Sequence, residues 1–408
     1  MTLQQIDLHN TITALSCALD LVGVDEVKHG KRVAMMAYHI ARHLQWPDAE
    51  CLSILHAGML HDCGVSSIHE HRMITDSLEW AGAEAHAIRG AEYLAACSPL
   101  AHLAADIRYH HSRWQLLNQL PIAKTTRVRA NLLFLADRVD VLQLPYLRSE
   151  QILSASTNIV RQIQSLSGSL FAPELVTAFS ETAQSQSFWL AMDDDYMDED
   201  IHALGLNTAS IAIDYPTLRE IAHLFSRVVD AKSHFTELHS QRVALLARQL
   251  AIDLGITEQI EEIEIAGLLH DLGKLRVSED IINKPGKLSP EERAIMQRHS
   301  YDTFRILQRV FGNSKIPVWA GFHHENLRGE GYPFKSSSAC QDIESRIICV
   351  ADIFQALAQS RPYREGMKLA DILQDLTQRV ENGELDAHVV NTIKANAQSY
   401  YQLAGGLA

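Results

Sequence analysis

Seven residues in the C-terminal half of the chain carry one kind of chemistry. His239, His270, Asp271, His299, His323, His324 and Asp352 are all imidazoles or carboxylates, ligands suited to iron, manganese, zinc or nickel. A single tetrahedral zinc is satisfied by about four such groups, so this set favours two ions. Two divalent ions about 3.5–4 Å apart lower the pKa of a shared water, orient it and neutralise charge on an attacked phosphate. Phosphoester hydrolysis is the reaction the set suggests. Any one of these residues alone reads better as an ordinary core or surface side chain; the ordered series does not.

Their local settings agree with buried ligands. In "IEIAGLLHDLGKLRV" an apolar helix is expected to end at His270 and Asp271, with Gly273 suited to the C-terminal turn and Lys274 just beyond. An imidazole and a carboxylate directly after Leu268 and Leu269 are costly to bury unless a cation or partner satisfies them. In "GFHHENLRGEGYPF", residues 321–334, two histidines and a glutamate precede a glycine-rich turn. The series also occurs twice. His29, His61, Asp62, His86, His110, His111 and Asp137 repeat it at offsets between 209 (His61 to His270) and 215 (Asp137 to Asp352). A large internal duplication follows, each copy the size of an ordinary domain.

The elements that position these residues read as helices. Val243, Leu246, Leu250 and Leu254 make one apolar stripe that ends at Gly255, and Val33, Met36, Ala37, Ile40 and Leu44 make another. Alternating runs are scarce, the best being "ASIAIDY" at 209–215, so the expected fold class is all-α. The acidic run "MDDDYMDEDIHALG", 192–205, followed by Pro216, suits an inter-domain connection, with an exposed helix cap as the alternative. Expected boundaries are 1–190 for a first domain, 191–216 for the linker and 217–408 for the second.

The 408 residues are enough for two buried cores. A formal charge of -14 repels nucleic acid polymers and anionic membrane surfaces, so any anionic ligand needs local cations. Six cysteines without a CxxC pair read as buried thiols of a reducing compartment. No apolar run approaches the ~18 residues of a membrane span and no signal pattern opens the chain. A cytoplasmic protein is expected.

The second copy resembles the HD-GYP family of bacterial cyclic-dinucleotide phosphodiesterases, within the HD superfamily of metal-dependent phosphohydrolases. The resemblance rests on "DAKSHFTELHSQRVA", "HDLGK", "IINKPGKLSPEERAIMQRHS", "HHENLRGEGYP" and "VADIFQALAQSRPYR". It implies that His270, Asp271, His299, His323, His324 and Asp352 hold the metals, that His239 is a further ligand, and that Asp271 bridges two ions. Iron or manganese is expected, with nickel or zinc as alternatives. The resemblance also casts Gly331, Tyr332 and Pro333 as the GYP turn, with Lys274, Tyr332 and Arg364 facing substrate.

Two departures, Arg328 and Gln355, stand where the family often has aspartate, which implies altered substrate contacts. Phe235 stands where members with a third metal have glutamate, and Glu237 would point elsewhere, so two ions are expected. The first copy keeps its ligands but has Val65 in place of Lys274 and "HHSRWQLLNQLP" in place of the glutamate and the GYP turn. Losing a phosphate cation while keeping ligands spares metal more than turnover. His69 and His71 match no part of the family pattern and read as loop residues.

The expected protein is a tandem, all-α phosphodiesterase that opens a 3′,3′-cyclic dinucleotide, 3′,3′-cGAMP or c-di-GMP, at its C-terminal domain, while the first domain supports or regulates it. The alternatives are a non-catalytic cyclic-dinucleotide sensor and another HD-type nucleotide phosphohydrolase. A homodimer is the oligomeric form expected.

Overall fold

In a computed structural model of the chain, residues 6–22, 28–75, 82–147, 151–206, 212–232, 238–360 and 365–406 are described. The chain separates into two units, Met1–Ile213 and Asp214–Ala408. Among the described residues the only named strands are Ile6–Asp7 and Ala212–Ile213, an antiparallel pair in which Ile6 faces Ile213. Everything else that is regular is helical, as the periodicity requires.

In the second unit the helices His239–Asp253 and Ile260–Leu269 pack together, burying Val243, Leu246, Ala247 and Leu250 against Ile263, Ile265 and Ala266. Each fully buried aliphatic side chain contributes about 1.5–3 kcal/mol, so this pair is a rigid base for the residues at its ends. Gly255 follows the first of the two helices at φ 76°, the left-handed end that glycine accommodates. The long helix Pro290–Phe311 starts from a complete capping box: Ser289 Oγ accepts from Glu292 N at 3.2 Å while Ser289 N donates to Glu292 Oε2 at 2.7 Å. Helix Ile343–Ala358 packs against both His239–Asp253 and Ile260–Leu269, and Ala387–Ala395 and Ala397–Leu403 pack against His239–Asp253.

The first unit repeats this plan with His29–His43, Asp48–Leu60, Glu84–Ala95 and Lys124–Leu147. It also contains the segment expected to link the domains. Helix Met197–Leu206 buries Met197 and Ile201 in the first unit, and Asp198 pairs with Lys31 at 2.7 Å and Lys28 at 3.2 Å. Much of the acidic run thus lies in a helix whose Asp198 answers Lys31 and Lys28. Lys31, 2 % exposed, needs that carboxylate. The division falls between Ile213 and Asp214, and helix Tyr215–Asp230 begins the second unit.

Candidate metal centre

All seven predicted ligands of the second unit converge. His239 is the first residue of its helix, His270 and Asp271 follow the last turn of Ile260–Leu269, His299 lies midway along Pro290–Phe311, and Asp352 lies on Ile343–Ala358. Gly273 lies in a 3₁₀ turn and is required by close approach, not by helix termination: a Cβ there would sit 2.1 Å from the His299 carbonyl oxygen. Gly64 meets the His86 carbonyl in the same way at 2.0 Å.

Asp271 divides the cage in two. Its Oδ2 lies 3.4 Å from His239 Nε2 and 3.3 Å from His270 Nε2, while His239 Nε2 is also 3.3 Å from Asp352 Oδ1. Its Oδ1 lies 3.4 Å from His299 Nε2 and 3.7 Å from His323 Nε2. His324 stands beside that second group, with Nδ1 3.9 Å from Asp352 Oδ2. Each oxygen of this one carboxylate thus faces its own pair of imidazoles.

The far nitrogens fix which atom each ring presents. His270, His299 and His323 place Nδ1 at 2.8, 2.5 and 2.6 Å from the carbonyl oxygens of Gly267, Met296 and Ala320. A donating Nδ1–H leaves the Nε2 lone pair for an ion. His239, the first residue of its helix, uses Gln355 Oε1 at 2.5 Å.

Electrostatics point the same way. Burial pulls His299 down to about 3 and His324 to about 4, and takes His323 well below its usual value, so these rings are neutral near pH 7. Burial alone would raise Asp271 and Asp352, but the imidazoles around them, and Lys274 beside Asp271, hold both well below the carboxylate range. His239 rises to about 10, because Asp271 and Asp352 outweigh its burial. The carboxylate-rich half is where a cation is worth most. Asp271 Oδ1 is closed off from solvent without a hydrogen-bond partner. A buried acceptor left this way costs about 1–3 kcal/mol, and divalent ions fit the donor set that surrounds it.

The residues expected to meet substrate are placed unevenly. Lys274 Nζ lies 2.5 Å from Asp271 Oδ2, at the lip of the cage. The Tyr332 ring stacks at 4.8 Å from His324, and burial followed by the charges of Asp352 and Asp271 pushes its hydroxyl far up. Arg364, Phe235 and Glu237 lie outside the described residues. Arg328 is exposed and pairs with Glu330 at 2.8 Å. Gln355 is fully buried behind His239, so its departure from the family pattern alters a ligand's support and not a substrate contact.

Glu325 holds the GYP turn: its carboxylate accepts from the backbone N–H groups of Phe334 at 2.6 Å, Lys335 at 3.1 Å and Ser336 at 2.8 Å. Gly331 permits the return of the turn, since a Cβ there would lie 2.5 Å from Glu325 Cα. In the first unit Ser112 takes the place of this glutamate, and the turn is gone with it.

The first unit forms a second cage. Asp62 Oδ2 faces His61 at 3.4 Å and His29 at 3.8 Å, while Oδ1 faces His86 at 3.3 Å and His110 at 3.9 Å. Both Asp62 oxygens, His29 Nε2, His61 Nε2, His111 Nε2 and Asp137 Oδ1 are closed off without hydrogen-bond partners. Three features were missed in the sequence. Arg138, 1 % exposed, donates to Asp137 Oδ2 at 2.7 Å. Asp140 accepts from His29 Nδ1 at 2.7 Å. His71 is not in a loop: it lies on helix Ile68–Thr75, buried, its ring 6.3 Å from that of His29. An arginine after a ligand aspartate carries no signal until the fold turns it inward.

Comparison with known proteins agrees with this geometry. Family models described as HD domain match residues 27–142 and 223–389. The chain is 40% identical to a 3′3′-cGAMP-specific phosphodiesterase of Vibrio cholerae over 98% of its own length and 94% of the relative's. It is 30% identical to a cyclic di-GMP phosphodiesterase of Pseudomonas aeruginosa over 53% of this chain and 49% of that one. A solved cyclic GMP-AMP specific phosphodiesterase of V. cholerae shares the fold, with a TM-score of 0.65 at 24% identity, covering 96% of this chain and 98% of that one. With an HD domain in each half and full-length similarity to such an enzyme, the chain belongs to the HD-GYP family of cyclic-dinucleotide phosphodiesterases, in its tandem-HD form.

Proposed function

We propose that the C-terminal unit hydrolyses 3′,3′-cGAMP to the linear dinucleotide at a centre of two divalent ions, iron or manganese. His239, His270, Asp271 and Asp352 would hold one ion, and His299, His323, His324 and Asp271 the other. The observation that carries this reading is the division of Asp271, whose two oxygens face different ligand sets at 3.3–3.7 Å. The ions supply an activated water and neutralise charge on the phosphate.

The chain's own residues supply the rest. Asp271 and Asp352, both ionised, set the charge of the cage. Lys274 reaches the same lip and meets a phosphate oxygen as charge develops on it, and Arg364 is the second cation of this reading. Tyr332, fixed against His324 by a turn that Glu325 holds, forms the wall that orients the dinucleotide. The first unit lacks the lysine and the turn and places Arg138 on its aspartate. It therefore supports or regulates the second unit and does not turn over substrate. Enzyme and substrate meet in the cytoplasm.

The relative similar over its whole length is named for 3′3′-cGAMP, whereas the relative named for cyclic di-GMP matches about half of the chain; this favours 3′,3′-cGAMP. Purified protein with Mn²⁺, assayed against both dinucleotides in parallel, is expected to release linear product from 3′,3′-cGAMP with a kcat/KM at least about 10-fold higher. Tight binding without product would instead identify a sensor.

A further inference from the structure

The two cages match in their ligands but differ in the support of one histidine. His29 and His239 are each the first residue of a helix. Each takes a side chain three residues after the cage's last aspartate. In the first unit this is Asp140 Oδ2 at 2.7 Å, while Asp140 Oδ1 accepts from Arg32 Nε at 2.7 Å and Gln143 Nε2 at 2.8 Å. In the second it is Gln355 Oε1 at 2.5 Å. One support is a charged carboxylate in a network; the other is a neutral amide.

We infer that Gln355 is a positioning residue for the ion held by His239, and that its neutral amide makes this ion more exchangeable than a carboxylate would. The inference rests on reading the C-terminal cage as a metal centre.

Gln355 is fully buried, and its Nε2 has no hydrogen-bond partner, so the bond to His239 is what fixes the amide. Only one orientation suits an ion. With Oε1 toward the ring, Nδ1 carries the proton and Nε2 presents its lone pair to the space shared with His270, Asp271 and Asp352. With the amide reversed, Nδ1 would accept and the proton would sit on Nε2, inside the ion's space. Gln355 therefore sets the tautomer of His239. A carboxylate in the same place sets the same tautomer and also pushes charge through the ring, which strengthens the metal bond; removing such an outer partner weakens metal binding about 10–100-fold. An amide retains the orientation and forgoes the added charge.

The test is a Mn²⁺ titration of metal-stripped full-length protein, reading free Mn²⁺ by electron paramagnetic resonance. Wild type is compared with Gln355→Glu, Gln355→Leu and a His270→Ala/Asp271→Ala reference. The reference is expected to delete the steps that belong to the second unit. Gln355→Glu, which keeps the shape, is expected to shift one of those steps about 10-fold tighter, and Gln355→Leu to shift it about 10–100-fold weaker. The circular dichroism of the stripped chains should match throughout. A Gln355→Leu isotherm that overlies wild type overturns the inference, as does equal weakening by both substitutions, which would make shape the only requirement. If the reference leaves the whole isotherm unchanged, the metal centre itself is misassigned and the inference falls with it.

Discussion

Lys274 and Val65 occupy the same place in the two cages, three residues after Asp271 and Asp62, so the natural experiment is already written into the chain. Lys274→Val is expected to lower kcat/KM for the dinucleotide about 10²–10³-fold, the usual cost of one electrostatic contact to a developing oxyanion, while metal content stays at the wild-type value. Metal analysis beside the assay decides the matter: loss of metal would mean that the lysine serves only to hold Asp271. That the imidazoles and carboxylates of the cage would converge was legible in the sequence, because they declare their chemistry by type and recur as one ordered set. Gln355, Arg138 and Asp140 were not, since each acquires its role from a contact that the fold creates. Gln355 and His239 are 116 residues apart, and nothing in the composition of either segment announces the pair.

Elements explain why some motifs travel together. Glu325 and the GYP turn are present in one unit and absent from the other because the carboxylate's three backbone bonds are what hold the loop from Phe334 to Ser336. Glu325→Ala is expected to reduce kcat/KM by at least about 10-fold with metal content unchanged, and hydrogen exchange should show the amides of 334–336 losing protection. In the first unit a different buried pair sets a pH limit. His9 Nδ1 lies 3.0 Å from His56 Nε2, and His9 Nε2 lies 3.0 Å from the Ile201 carbonyl oxygen, across the helices Leu8–Leu19 and Asp48–Leu60 and the docked acidic helix. Burial, then the charge of His9, pulls His56 down to about 3, and burial lowers His9 as well. Unfolded, both titrate near 6.5. Between those values the unfolded chain binds more protons, so stability is complete above about pH 6.5 and falls as pH drops toward 3. For His56 alone the loss is about 2 kcal/mol at pH 5. Thermal unfolding at pH 7 and pH 5 should show this fall, and His56→Gln, which keeps a polar partner for His9 but does not titrate, should flatten it.

At the scale of the whole chain the duplication was visible because the same histidines and aspartates recur in the same order at nearly constant offsets, from 209 to 215. The division between Ile213 and Asp214 lies inside the expected 191–216 segment, but the helix within that segment was not legible, because a run of acids looks solvated whether it is or not; here Lys31 and Lys28, more than 160 residues away, pair with it. The repeat poses a question of division of labour, and paired substitutions answer it. His270→Ala/Asp271→Ala removes a bridging carboxylate and a ligand from the second unit, so turnover should vanish and the metal of that unit should be lost. His61→Ala/Asp62→Ala makes the same cut in the first unit. There it should remove metal, because the buried atoms of that cage otherwise lack partners, and reduce turnover only by the coupling between two sites, about 5- to 100-fold. A residual rate that depends on metal in the second cage alone marks the first unit as a support. If turnover instead disappears with His61 and Asp62 and survives loss of His270 and Asp271, the catalytic unit is the one without the lysine and the GYP turn, and the chemistry assigned to both features is wrong.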